Sequence, residues 1–161
     1  LDRSARILEE NWDMVKQRFQ QEYIIAVLPW LITIHRLRVE RMRDSAERRK
    51  TLKRAVWLAH LARVTLPFFG NNGPQVFRDL ALLSLCAAKP DSARNYIAKS
   101  LQAARKRRAR YEQAQSLYAL YRIERSLGGA GSEAARSEAL KLLGRLNAVD
   151  VFFRLEQDID G

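Results

Sequence analysis

The chain has 161 residues, 47% of them hydrophobic and 29% charged, with four prolines, seven glycines and one cysteine. That balance excludes a disordered chain and a disulfide-built scaffold, and the length suits one domain with a real core. The formal net charge of +11 excludes indifference to anions: acidic proteins, nucleic acid and anionic lipid are all attracted, at a strength that falls with salt.

The opening Leu1-Asp2-Arg3-Ser4 has no Met and no secretory leader, so the chain is expected to be a piece of a larger protein. Ile7, Leu8, Trp12, Val15, Phe19 and Tyr23 form one stripe, which predicts a long helix from Ser4 to about Leu28. Pro29 either kinks that helix or sits in the first turn of a second, carrying Leu31, Ile34, Leu37, Val39 and Met42. The apolar run Ile24 to Ile34 falls short of the roughly 20 residues a bilayer requires and is expected in a buried helix pair. Arg36 to Arg54 follows, with nine cations against three acids. Asp44-Ser45 can cap a third helix, Ala46 to Leu66, because a short oxygen-bearing side chain accepts a bond from a free backbone N–H. Pro67 ends it. Phe68-Phe69 and the loop Gly70-Asn71-Asn72-Gly73-Pro74 then separate the longer helices of 1–69 from a repeat-like part, 75–147.

In that second part Val76 to Ala88 reads as a short, strongly apolar helix. Lys89-Pro90 marks a tight turn, since proline cannot continue the helix before it. From Asp91 or Ser92, as cap, to Arg107 the less polar positions are Ala93, Tyr96, Ile97, Ser100, Leu101 and Ala104, the spacing of one helical face. Tyr111 to Leu127 repeats the pattern with Ala114, Leu117, Tyr118 and Tyr121. Gly128-Gly129-Ala130-Gly131 closes it through a left-handed residue, and Ser132 is expected to cap a last helix bearing Ala135, Ala139, Leu140, Leu142, Leu143 and Leu146. Two helix–turn–helix units, 75–107 and 111–147, thus follow one another with second helices about 40 residues apart. Such a unit cannot bury its own apolar face, so it stacks on its neighbours.

Ala109-Arg110-Tyr111-Glu112-Gln113-Ala114-Gln115-Ser116-Leu117-Tyr118-Ala119-Leu120, ending at Leu127-Gly128, resembles tetratricopeptide-type repeats. It is similar in particular to those C-terminal to the ATPase module of large bacterial signalling proteins, which are fused to kinase, cyclase or transcription-factor domains. On that resemblance Ala93, Ile97 and Ser100 fill signature places of a second helix, and Phe77, Leu80 and Ala81 those of a first. The resemblance implies an all-α, tetratricopeptide-like α-solenoid of about seven helices that regulates by binding and catalyses nothing.

The surface of such a module suggests Tyr96, Tyr118, Tyr121 and Arg122 as partner-binding residues, because tyrosine and arginine carry disproportionate interface energy. The expected partner is a protein, a peptide or a neighbouring domain of the same chain. Arg105-Lys106-Arg107-Arg108-Ala109-Arg110 is the densest basic run. Its five cations could bind phosphate, or they could form a solvated helix end favoured by the C-terminal dipole. With Arg48-Arg49-Lys50 and Lys53-Arg54 it supports the alternative of a basic helical nucleic-acid-binding domain. His35 and His60 have no metal-ligand neighbours at zinc spacing, so no metal site, cofactor or catalytic set is expected. Neither glycine cluster has the Lys-Ser/Thr of a phosphate loop. Trp12, Trp30 and Trp57 fall on apolar stripes and are expected in the core. Cys86, alone, is expected as a buried packing thiol in a cytoplasmic protein. Val151-Phe152-Phe153-Arg154-Leu155 is expected to dock on the last helix before the acids Glu156, Asp158 and Asp160.

Overall fold

A computed structural model describes residues 1–18, 21–67 and 70–152, with side chains described outside 14–18 and 21–26. Among the described residues the fold is all-helical: α1 (Asp2–Arg18), α2 (Gln21–Arg41), α3 (Ala46–Thr65), α4 (Gly73–Cys86), α5 (Pro90–Lys106), α6 (Arg110–Ser126) and α7 (Ser132–Arg145). A short 3-10 turn, Gly70–Asn72, precedes α4. Phe19, Phe68-Phe69 and the segment from Phe153 through the acidic tail, each with an expectation above, lie outside the described residues, as do the side chains of Val15 and Tyr23.

The single helix expected over 4–28 is two helices. They pack antiparallel, with Arg38 near Asp2 (3.2 Å) and His35 bonded to Glu9 (2.9 Å). Pro29 lies neither at a kink between them nor in a first turn, but in the interior of α2, where it is buried. An interior proline removes one helix hydrogen bond, a loss that tertiary packing of the surrounding Leu28, Leu31 and Ile32 (all at most 1% exposed) offsets.

The start of α3 is as expected: the Ser45 hydroxyl accepts from the Arg48 N–H at 3.1 Å. Two other expected caps are not formed. The helix α5 starts at Pro90 itself, with Lys89 before it, and α7 starts at Ser132 with Gly131 before it, neither with a side-chain cap. Proline's fixed φ already suits a first helical position, so Asp91 falls inside the turn.

Helix ends follow one rule four times. After α4, α5, α6 and α7 the chain turns left-handed at Ala88 (φ 54°), Arg108 (φ 54°), Gly128 (φ 69°) and Asn147 (φ 52°). In each case the next N–H reaches back to the third-last helical carbonyl: Lys89 to Ser84 (2.9 Å), Ala109 to Ala104 (3.0 Å), Gly129 to Glu124 (2.7 Å), Ala148 to Leu143 (3.0 Å). This is the Schellman closure, which satisfies carbonyls that the helix leaves unbonded. It turns the chain back sharply enough for each helix to pack on the one before.

Every substantial helix–helix contact joins helices one or two places apart, and the two-place contacts are α2 with α4 and α4 with α6. The even-numbered helices therefore form one layer. The core follows suit as a chain of clusters: Trp12, Leu31, Leu58 and Leu83 over α1–α4, Ile97 and Ile123 over α4–α6, then Leu117, Leu143 and Phe152. Small buried residues, among them Ala81, Ala93, Ala104, Ala114 and Ala139, let the helices come close. Ser100 is one of them and is more than a spacer. Its hydroxyl lies 2.6 Å from the Pro74 carbonyl and 2.7 Å from the Ser116 hydroxyl, which in turn donates to the Glu112 carbonyl. Three helices are tied at one buried point.

Candidate functional site

The layer of α2, α4 and α6 leaves a cleft of about 400 Å³, with Phe152 in its lining. Its floor is a run of charges. From α4, Asp79 (1% exposed) accepts from the Thr33 hydroxyl at 2.6 Å and from Arg36 Nε at 2.8 Å. Arg36, also buried, turns its Nη1 onto both oxygens of Glu40 at 2.9 Å, and Glu40 takes Arg122 Nη2 from α6 at 3.1 Å. Gln75 donates to Thr33, and Arg78 bridges to Glu112 of α6 at 2.7 Å. Burial works to raise the Glu40 carboxyl, but the guanidiniums of Arg36 and Arg122 outweigh it and hold the group below its usual value.

Buried charges so arranged add little net stability over apolar substitutes, yet losing one partner strands the other. Such a run fixes geometry: α2, α4 and α6 are held in one register through Arg36 and Glu40, Asp79, and Arg122 respectively. Around it the lining is aromatic and aliphatic, with Trp30, Ile34, Leu37, Tyr111 and Tyr118. Trp30 is 60% exposed, so it is a rim residue and no part of the core. Trp57 (51% exposed) departs from the same expectation, while Trp12 is buried as expected. A helical stripe reports which residues share a face; it does not report how far the neighbouring helix extends over them.

Of the four candidate partner-binding residues, Tyr118 and Arg122 line the cleft together. Tyr118 packs edge-on against Phe152, with ring centres 4.9 Å apart. Tyr121 is buried beside it and accepts a bond from Arg125 at 2.8 Å, with the Arg136 guanidinium over its ring. Tyr96 is elsewhere, half-buried on α5 under the Lys99 ammonium. Of the stretch expected to dock on the last helix, Val151 is exposed and Phe152 is buried against Ala114 and Leu143, while 153–155 lie outside the described residues.

The basic run is not spread around a helix. Arg105 and Lys106 end α5, Arg107 and Arg108 make the tight turn, and Arg110 opens α6, all exposed. Arg107 donates to Asn71 at 2.9 Å, tying this turn to the 3-10 turn before α4. Lys106 also faces a second groove of about 450 Å³, between α3 and α5.

Among the described residues no three His, Cys, Asp or Glu side chains are grouped as metal ligands, and no helix is long and apolar enough to cross a membrane. His35 is buried; its Nε2 bonds Glu9 and its Nδ1 has no partner. Burial lowers its pKa against the pull of Glu9, so the ring is neutral and Nε2 carries the hydrogen. Glu9 is drawn below its usual range by Arg54 and His35, whose bonds outweigh the opposing effect of burial. Cys86 is half-buried, and burial first, then Glu40, pushes its thiol up, away from the reactive thiolate.

The buried run from Thr33 to Arg122 was not foreseen. Its local signals were present: Arg36 and Glu40 one helical turn apart, and an Arg78-Asp79 pair inside the most apolar helix of the second part. What joins them is separation in sequence, 43 residues between Arg36 and Asp79. No protein-family model, curated protein or solved structure matches the chain.

Proposed function

We propose that this chain is a non-catalytic binding module, a tetratricopeptide-like α-solenoid whose even-numbered helices form the receptive face. The observation that carries the reading is the cleft over α2, α4 and α6. Its floor charges are already neutralised in pairs, so it is rigid without demanding a charged ligand, and its rim offers Trp30, Tyr111 and Tyr118 as large apolar contacts. Rigid aromatics beside paired polar groups suit an extended peptide or a segment of a neighbouring domain. Substantial helix contacts confined to helices one or two places apart, and the repeated Schellman closure, support the solenoid reading. The likeness of 109–128 to the repeats of ATPase-bearing bacterial signalling proteins supports a regulatory role within a larger, cytoplasmic, multidomain chain.

The test is selection of random peptides on the purified protein, followed by affinity measurement on Trp30→Ala, Tyr118→Ala and Trp57→Ala. The first two should weaken a selected peptide at least tenfold, a loss of about 1.4 kcal/mol or more, while Trp57→Ala leaves it unchanged. Peptides that bind all three variants equally, or no peptides at all, would refute the reading.

A further inference from the structure

The chain's positive charge is unevenly placed. Between Arg48 and Tyr111 the only acids are Asp79 and Asp91. Asp79 is buried under Arg36, so Asp91 is the only acid of that stretch on the surface. The consequence falls on α3 and α5. Helix α3 carries six Arg or Lys against Glu47 alone, and α5 four against Asp91 alone, each acid being confined to the first turn. In the cleft layer Arg36, Arg78 and Arg122 are each paired to a carboxylate, and on α3 and α5 Arg49, Arg54 and Arg94 are paired too, to Asp44, Glu9 and Glu124.

Between α3 and α5 lies the groove of about 450 Å³, lined by Arg63, Lys99 and Lys106 with Phe77, Gln102 and Ala103, and no carboxylate is in its lining. Phe77 faces this groove while the adjacent Arg78 faces the cleft, so the two sites open on different sides of α4. On α3, Lys53, Trp57 and His60 are exposed at helical spacing, one face of the same helix that supplies Arg63. The indole of Trp57 has the Arg54 guanidinium 5.0 Å from its ring centre, and Arg54 is itself held by Glu9 at 2.9 Å. One side of the ring is thereby braced while half of the residue stays exposed. Trp57 lies six residues from Arg63, about 9 Å along the helix and about 120° around it, with exposed His60 midway between them.

We propose that the outer face of α3 and α5 binds single-stranded nucleic acid, with phosphates along Arg63, Lys99 and Lys106 and a base stacked on Trp57. Cations without interleaved acids neutralise a phosphate backbone, and a braced, exposed aromatic on the adjoining face of α3 supplies the sequence-tolerant stacking that single strands use once the strand passes from the groove over His60. An acidic peptide would use the cations and leave the indole idle. The proposal is independent of the cleft and its peptide.

Affinities are measured by fluorescence anisotropy over a salt series, for a labelled oligothymidylate, an oligouridylate of the same length and a poly-glutamate of the same charge. The variants are Trp57→Ala, Trp57→Phe, the triple reversal Arg63→Glu/Lys99→Glu/Lys106→Glu, and a charge-matched control on exposed residues elsewhere, Arg3→Glu/Lys141→Glu/Arg145→Glu. Circular dichroism checks that each is folded. The groove reversal should weaken oligonucleotide binding at least tenfold more than the control. It should also flatten the log–log salt slope by about 2, since each single-strand phosphate contact contributes about 0.7. Trp57→Ala should cost about fivefold or more for the oligonucleotides, with Trp57→Phe restoring most of it and poly-glutamate unaffected. A difference between the two oligonucleotides would assign the preferred sugar. Equal losses from the two triple variants would overturn the proposal in favour of net charge alone. Poly-glutamate binding as tightly as the oligonucleotides, with Trp57→Ala silent, would overturn it in favour of an acidic protein.

Discussion

Replacing Ala88 or Arg108 by glycine should make the protein more stable, although glycine usually weakens a fold. Both residues occupy left-handed conformations (φ 54°) at the closures after α4 and α5, and both are exposed. A Cβ there costs about 1–2 kcal/mol in the folded state. Glycine removes that cost but frees the unfolded chain, returning about 0.4–1 kcal/mol. The net expectation is a gain of about 0.5–1 kcal/mol at each site. The two positions flank a 17-residue helix, about 25 Å long, so the gains should add. For a chain of this size 1 kcal/mol moves Tm by about 2–4 °C. The mirror experiment is Gly128→Ala. A Cβ at Gly128 would meet nothing within 4 Å, so its cost is backbone conformation alone, about 1 kcal/mol. Thermal unfolding followed by circular dichroism measures all three. If Ala88→Gly and Arg108→Gly lower Tm while Gly128→Ala leaves it unmoved, the helices do not end as described and the reasoning fails.

Asp79→Ala should destabilise by about 2–3 kcal/mol in denaturant unfolding, because it removes the acceptor of the buried Arg36 Nε and of the Thr33 hydroxyl while Glu40 still holds Arg36 Nη1; adding Arg36→Leu should recover part of the loss, which a purely additive pair would not. Ser100→Ala should cost about 1–2 kcal/mol by the same assay, since the Pro74 carbonyl loses its short partner and buried hydroxyl contacts are broken at a point shared by α4, α5 and α6. Stability should fall as pH drops below 6.5, the ordinary histidine value, because the unfolded chain then takes up a proton that buried His35 accepts only at lower pH. Measured in a His60→Gln background, which removes the second histidine whose pKa is lowered, His35→Gln should flatten that limb between pH 6.5 and the carboxylate range; an unchanged slope would contradict it.

The local rules were readable in the sequence where one residue type decides the outcome. Ser45 caps α3, Gly128 closes α6, and Ala93, Ile97, Ser100, Leu101 and Ala104 are the buried face of α5. Reading failed where a distant neighbour decides. Pro29 argued for a kink or a helix start, and packing against α1 and α3 explains why α2 runs through it. The same periodicity put Trp12, Trp30 and Trp57 inside, yet no helix covers the last two. At Ala88 and Arg108 the residue types gave no hint of left-handed backbone; the rhythm of the closures, 20, 20 and 19 residues apart, would have shown it. Of the cleft, Tyr118 and Arg122 were visible as candidates, while the acids that hold Arg122 and Arg36 in place lie too far along the chain to be paired by spacing.

The ion chain from Asp79 through Arg36 and Glu40 to Arg122 has a mechanical consequence. A stack in which each rod leans only on its near neighbours bends easily, like a spring. Here α2, α4 and α6 are pinned to each other by a largely buried, directional strut. The spacing of α2, α4 and α6 is thereby fixed by the chain's own side chains, and changing it would first require breaking these ion pairs.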